Sequence, residues 1–498
     1  MNLPQQQFPK KFSKKLRTLN NENDIIMKHK YIQYRRRFLN LLSDITDAIK
    51  GVETDYTSIR LSKALVLLAI PMVLEMFMES VFILFDIYFV SKLGAEAVSV
   101  VGLTESMLTI IYAFGIGFSI SATAIVSRRV GEKQPKMASH AAFQAILVTI
   151  SVSILVTLAG LFFSSDLLRL MGASNDSIVL YSGYTKWMLA GNATIMLLFV
   201  LNGIFRGAGD AAIAMRVLWF ANIINIVLDP MLIFGIGPFP QLGVEGAAIA
   251  TNIGRGSAVI YQLYICFFGK SRIRIALADL KPDFSQIASF LKLSYSGISQ
   301  MLIATTSWIG LVRIISMFGS ISVAGYTVGI RIMIFAMLPA SGISNAAATL
   351  VGQNLGAKKP AQAERSAWLS GWVNAFLMGL VGIFLVAWPE AALRVITHDS
   401  SIIEKGAECL RILSFGFIAY GLGMVVVNSL NGAGDTFTPM IINLFCFWIL
   451  EIPLAYILAI NLSMGERGVY YAIVTAETLM TITAILAFRR GKWKIQKV

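Results

Sequence analysis

The sequence predicts an all-α integral membrane protein: twelve transmembrane helices in two pseudo-symmetric six-helix bundles. Three observations carry that prediction. The 498 residues are 56% hydrophobic and only 14% charged, whereas a soluble domain needs about 25% charged residues to cover its surface. Apolar runs of about 20 residues, each long enough to cross a bilayer, recur along nearly the whole chain. Landmarks of the first half also return in the second half at one constant spacing.

Inside lipid every backbone polar group must be paired within its own segment. The runs lack the short alternation of an outer-membrane barrel, so they read as helices. They fall near 64–90, 98–126, 139–163, 180–205, 212–235 and 244–268, then near 287–318, 323–350, 366–388, 405–430, 438–460 and 466–488. An even number of spans puts both termini on one side.

Charge says which side. The chain carries a net charge of +14. Its cations concentrate in alternate loops: Arg128, Arg129, Lys133 and Lys136; Lys270, Arg272, Arg274 and Lys281; Lys358, Lys359 and Arg365; and the tail from Arg489 to Lys497. The opposite loops hold only scattered cations such as Lys92, Arg169, Arg394 and Arg467. The positive-inside rule then places both termini in the cytoplasm, with the chain in the cytoplasmic (inner) membrane. Orientation alone accounts for the basic balance, so no nucleic acid is expected as a partner. Membrane lipid is.

Cys266, Cys409 and Cys446 lie far apart in or beside apolar spans, and His29, His140 and His398 are equally scattered. Neither set has the spacing of a disulfide framework or a metal site. Residues 1–60 form a basic, polar cytoplasmic extension with no apolar core of a secretory signal. From Tyr34 to Val52 its apolar residues recur at helical spacing behind Arg35, Arg36 and Arg37. Two readings fit: an amphipathic helix on the inner membrane surface, or a mobile tail.

The repeat is read from three pairs. Gly131-Glu-Lys-Gln-Pro135 returns as Gly356-Ala-Lys-Lys-Pro360, Arg206-Gly-Ala-Gly-Asp210 as Asn431-Gly-Ala-Gly-Asp435, and Gly94 as Gly319, each 225 positions on. The expected bundles span 61–268 and 287–490, with a polar linker at 269–286 and a basic tail at 491–498. Six spans per half give parallel repeats about an axis along the membrane normal, an architecture that permits rocking between lobes. One chain holds both lobes, so a monomer suffices.

The ordered motifs resemble a known family. Arg206-Gly-Ala-Gly-Asp210 is followed by Asn225-Ile-Val-Leu-Asp229-Pro230 and Gly243-Val-Glu-Gly-Ala-Ala-Ile-Ala-Thr251. Pro71 and, fifteen residues on, Asp86 and Lys92-Leu-Gly-Ala95 precede them. Over residues 60–490 this is similar to the multidrug and toxic compound extrusion (MATE) family, in the branch of DinF-like and archaeal members. The resemblance implies a secondary active exporter of organic compounds coupled to proton or sodium influx by alternating access. It further implies a cation site in the first lobe at Asp86, Asn225, Asp229 and Thr251, with Pro71 bending the first helix. Other branches use acids in the seventh span, and none lies between Phe290 and Phe318 here. The resemblance therefore implies no coupling site of that kind in the second lobe. Glu451-Ile452-Pro453 is set opposite Leu228-Asp229-Pro230, which leaves Glu451 one position off Asp229, and it is not counted as an equivalent ligand.

Physical chemistry points to the same residues. An ionised carboxylate at mid-membrane costs about 2.5–3.5 kcal/mol on insertion scales and persists when paired, wetted or functional. Asn225 and Asp229, four apart, share one helix face. Hard oxygen donors from Asp86, Asn225, Asp229 and Thr251 suit a small hard cation, and two close carboxylates equally suit a shared proton. The competing structural reading makes Asp229 a helix-end carboxylate held near Pro230.

Glu75 and Glu79 precede Asp86 on the first helix and could line the same cavity, or pair with Arg255 or Arg313. Asn202 and Gln300 could bind substrate or hydrogen-bond between helices. Gly207-Ala-Gly209 and Gly432-Ala-Gly434 are not phosphate loops, since no strand precedes them and no Lys-Ser/Thr follows. They read as tight turns with Asp210 and Asp435 capping the next helix. No nucleophile, metal cluster or nucleotide loop marks an enzyme. The expected substrate is a small organic compound, amphiphilic or cationic, with no bound cofactor. The alternative is a flippase of lipid-linked saccharides, which shares the twelve-helix design and need not carry the cation cluster.

Overall fold

The computed structural model describes residues 39–269, 271–276 and 280–496; the side chains of Asp86, Ile87, Ser91 and Ala95 are also outside the description. Asp86 is thus placed by its backbone alone, and the part of the Tyr34–Val52 helix before residue 39 lies outside the described residues.

A short helix α1 covers 39–50. The first half then runs α2 (Leu61–Ser91), α3 (Ala95–Gly131), α4 (Pro135–Leu170), α5 (Asn175–Ala190), α6 (Asn192–Ala208), α7 (Ala211–Phe234) and α8 (Val244–Phe268). The second half runs α9 (Phe284–Ile315), α10 (Ser320–Gly356), α11 (Pro360–Ala387), the single-turn α12 (Pro389–Leu393), α13 (Ser400–Ser414), α14 (Phe417–Gly432), α15 (Phe437–Asn443), α16 (Ile452–Tyr456) and α17 (Glu466–Arg489). Helices α5 and α6 form one span, Asn175–Ala208.

Among the described residues, ten helices are long and apolar enough to cross a membrane, and eleven if α13 and α14 count as one bent span. The remaining expected crossing is α8. Its 25 residues are long enough, but Glu245, Asn252, Arg255 and Gln262 dilute its apolar character. Two spans differ from the uniform helices expected. The tenth breaks at Phe415-Gly416, with a 58° bend between α13 and α14. The eleventh opens into π-helix at Leu444–Glu451 and again at Ile457–Asn461.

Apolar cores form largely within each half. One cluster runs from Val90 to Ile275, including Phe118, Phe205 and Ile233, and takes in Phe290 from the start of α9. Others draw only on residues from Leu311 to Trp493, including Tyr326, Tyr470 and Phe488. A third kind of cluster bridges them, joining Leu68 and Met72 of α2 to Ile343 and Leu350 of α10.

The halves meet backbone to backbone at glycines, which lets helices approach where no side chain intervenes. A Cβ on Gly117 would lie 2.6 Å from Ile298 N, and one on Gly342 would lie 2.6 Å from Val73 N. A Cβ on Gly131 would lie 2.0 Å from Gln353 O, and one on Gly356 2.2 Å from Arg128 O. Each contact is the repeat mate of the other in its pair, 225 residues on. Arg128 Nη2 donates to Ala433 O at 3.2 Å and Gln353 Nε2 to Gly207 O at 3.0 Å across the same seam. The seam lies in the part of these helices that leads to the basic loops.

Two turn and linker expectations need correction. Asp435 does cap, accepting from Thr438 N at 3.2 Å. Asp210 makes no cap bond; its Oδ2 accepts from Arg272 N at 3.2 Å instead. Gly209 ends α6 at φ 90°, and the chain turns so that Asp210 faces the linker. Burial there raises the Asp210 carboxyl above its usual range, with Arg272 opposing. The linker is polar in sequence yet packed: Ile273 and Ile275 are buried, and Arg272 donates to Thr54 O. Segment 51–57 is held the same way. Tyr56 donates to Gly209 O at 3.0 Å, Lys359 Nζ donates to Thr57 O at 2.8 Å, and Asp55 pairs with Lys133 at 3.8 Å.

Candidate functional site

Helices α7 and α8 build the central polar cluster. Asn225 and Asp229 sit one turn apart on α7 and face Thr251 of α8, and all three are buried. Gly254 makes room for this approach: a Cβ there would lie 2.8 Å from Ala221 O and 3.1 Å from Asn225 Cβ. One end of the Asn225 amide lies 3.0 Å from Asp229 Oδ2; the other lies 3.0 Å from Thr251 N and 3.1 Å from Thr251 Oγ1. Donation from Nδ2 to the carboxylate and acceptance at Oδ1 satisfies all three contacts. The amide is thereby a fixed bridge between acid and hydroxyl.

Helix α2 runs parallel to α7 alongside this cluster. Trp219 Nε1 donates to Leu74 O at 3.0 Å, and Asn222 Nδ2 donates to Met78 O at 3.4 Å. Continuing that register puts backbone position 86 level with position 230. Glu79, one turn above Glu75, is placed beside Asn222 and within electrostatic range of Arg255. Arg255 itself stacks between the rings of Phe82 and Tyr112, 5.6 and 5.9 Å from their centroids. Glu79 and Arg255 are thus close, as one of the sequence-level alternatives had it.

Glu75 has a different partner. It is wholly buried, with Arg206 Nη1 3.8 Å from its Oε1 and Asn202 Nδ2 donating to the same oxygen at 3.1 Å. Gln262 Nε2 donates to Asn202 Oδ1 at 2.6 Å, and Arg206 Nη2 donates to Ser119 Oγ at 3.2 Å. Asn202 and Glu75 therefore belong to a polar network joining four helices. In the sequence Arg206 is a landmark of the repeat and of the motif and not a candidate site residue; its spacing of four from Asn202 on one helix face is the signal that points to it.

Gln300 exchanges hydrogen bonds with Asn431 at 3.1 and 3.2 Å and donates to Thr436 O at 2.9 Å, tying α9 to the end of α14. Pro71 lies within the unbroken helix α2, next to Met72 and Val73, which pack on Gly342 at the seam.

Chemically, the α7–α8 cluster offers a carboxylate, an amide and a hydroxyl in a buried site. It can hold a proton on Asp229 or present oxygen ligands to a small cation.

Comparison with known proteins agrees with the architecture. A family model described as MatE matches residues 71–231 and 296–457, two stretches that begin 225 residues apart. The probable multidrug resistance protein NorM of Thermotoga maritima is 26% identical over 441 residues, covering 88% of this chain and 94% of its own. The multidrug export protein MepA of Staphylococcus aureus is 24% identical over 429 residues, covering 85% and 92%. A solved structure titled as the outward-facing conformation of a multidrug resistance MATE family transporter of the MOP superfamily is 26% identical. It covers 89% of this chain and 98% of its own, with a TM-score of 0.83.

Proposed function

This chain belongs to the MatE family of membrane transporters, and from that premise we propose that it is a cation-coupled exporter of small organic compounds. It is a multidrug efflux transporter by its kinship with NorM and MepA. The observation that carries the coupling is the buried Asn225–Asp229–Thr251 cluster, since a carboxylate kept in a membrane-spanning bundle is held there by function or pairing.

The mechanism follows from the packing. The two lobes, 61–268 and 287–490, meet at the glycine seam on the side of the basic loops, which the positive-inside rule makes cytoplasmic. In this cytoplasm-closed form the α7–α8 cluster loads a proton or sodium ion from outside. Loading removes net charge from Asp229, and α2, which Pro71 leaves free to bend by removing one backbone hydrogen bond, passes the change to Met72 and Val73 at the seam. The transporter works as a monomer in the inner membrane with both termini in the cytoplasm. Exposed Leu39, Leu41, Leu42 and Ile49 favour α1 as a helix lying on the inner membrane surface. The substrate is an amphiphilic or cationic organic compound, and no cofactor is needed. Relatives named as multidrug exporters favour export over flipping of lipid-linked saccharides.

The experiment is dye efflux from proteoliposomes with imposed proton or sodium gradients. We infer that the coupling ion is a proton, because a carboxylate needs no ligand geometry to take one up. Thr251→Val should then shift the pH dependence without creating or removing a sodium requirement. A sodium dependence of the wild type that vanishes in Thr251→Val would replace the proton by sodium at the same site.

A further inference from the structure

The second half holds a pair of carboxylates outside the coupling cluster, one buried and one half-buried. Glu451 closes the π-helical stretch Leu444–Glu451 and is 4% exposed. Ser307 Oγ of α9 donates to its Oε2 at 2.6 Å, with Phe447 O also in reach at 3.1 Å. Glu477 of α17 lies within electrostatic range of Glu451. Its Oε2 is enclosed and has no hydrogen-bond partner.

Two tyrosines close on this pair. Tyr420 of α14 faces the Glu477 carboxylate. Tyr326 of α10, 1% exposed, lies in range of Glu451. Its hydroxyl is also unpartnered, Trp308 of α9 coming near without a bond of normal geometry. The ionisable groups that face the pair are Tyr326, Tyr420 and Cys446 of the π stretch. Among the described residues, no Lys, Arg or His acts on either carboxylate.

The π turns explain how Glu451 reaches this place. At the 225-residue spacing the mate of Asn225 is Leu450, with Glu451 one position late. A π-helical stretch carries extra residues per turn, so the face beyond it rotates. Glu451 becomes buried while Leu450 stays partly exposed. The one-position mismatch visible in sequence is absorbed by the backbone.

Two neighbouring carboxylates without a cation cannot both stay ionised in a membrane interior. They hold a proton between them, and a proton needs no cavity. We propose that Glu451 and Glu477 form a second proton-carrying site, in the second lobe, with Ser307 and Tyr420 orienting its oxygens. Loading breaks an O–H bond of hydronium, leaving water, and forms an O–H bond on one carboxylate; unloading returns the proton to water as hydronium. The role in transport rests on the coupled-export reading, whereas the proton binding does not.

The test separates the two. Purified protein is titrated through neutral pH with a dye that counts protons, and the infrared absorption of buried carboxylic acid is recorded. Glu451→Gln/Glu477→Gln should bind about one proton fewer per chain and lose that absorption, and Asp229→Asn should leave the pair's share intact. Ser307→Ala keeps both carboxylates and removes one donor. It should shift the titration without changing the count, and it serves if the double variant folds poorly. An unchanged count and absorption in the double variant, or an unmoved titration in Ser307→Ala, overturns the site. In proteoliposomes the double variant should flatten the pH profile of efflux. Absence of gradient-driven efflux in the wild type would sink the export reading while the titration still decides the pair.

Discussion

Glu75 and Arg206 form a buried ion pair at 3.8 Å, and the second half fills the same two repeat positions with the hydrogen-bonded amides Gln300 and Asn431. Each residue of one pair stands 225 positions from its mate. The place is structural in both halves, joining the first helix of a lobe to the end of its fourth span. Only the first lobe makes the join with charge.

That relationship predicts a double-mutant outcome. Arg206→Ala leaves Glu75 buried without its cation and should cost about 3–5 kcal/mol. The combined Glu75→Gln/Arg206→Asn change copies the second lobe and should recover at least half of that. Thermal unfolding in detergent measures both, and equal losses would show that charge is not what the network has to balance.

At the seam, Gly342→Leu should block closure on the side of the basic loops, because even a Cβ at that position meets Val73 N at 2.6 Å. Efflux should fall at least about tenfold with expression and folding retained, since the open form leaves the position free. Cysteine labelling at the ends of α3 and α10 that lead to the basic loops should rise. Labelling that stays at the wild-type level would mean that the seam does not separate during the cycle.

Asp229→Asn keeps volume and removes the titratable group, as does Asp86→Asn on α2. Both should abolish gradient-driven efflux with unfolding temperatures near the wild type. Full coupled transport by both variants would remove the α7–α8 cluster from the mechanism.

Tyr56 ties the chain before α2 to the turn at Gly209. Burial lifts its phenol from 10 to about 12, so the hydroxyl stays a donor throughout the neutral range. Because the folded value is the higher one, this stabilisation is present below pH 10 and is lost as pH rises towards about 12. Tyr56→Phe should cost about 1 kcal/mol at neutral pH by leaving Gly209 O without its donor, and should flatten the loss of stability above pH 10. An unaltered alkaline limb in thermal unfolding would assign that limb to other groups.

Much of the site was legible in the sequence because membrane chemistry is unforgiving. An acid in an apolar run stands out against its cost, and a spacing of four puts Asn225 and Asp229 on one face before any coordinates exist. The same holds for the twelve crossings, with α8 the exception that is long enough to cross but diluted by Arg255 and Gln262. The partners were less legible. Glu75 pairs with Arg206 and not with Arg255 or Arg313, since long-range pairing depends on helix rotation that the spacing of one helix cannot supply. Asp210 looked like a cap and became the anchor of Arg272, because the turn at Gly209 rotates it towards a linker 62 residues on.

By itself the sequence determined the all-helical membrane class, the two-fold repeat at 225 residues and the residue types able to hold a cation. These depend on local composition and on positions along one chain. The tertiary structure decided which glycines meet across the seam, where α13 bends into α14, and how Glu451 turns inward. Those outcomes depend on backbone geometry between distant segments. A π-helical turn shifts every later side chain on its helix without changing a letter of the sequence, so only the folded chain could place Glu451 beside Ser307.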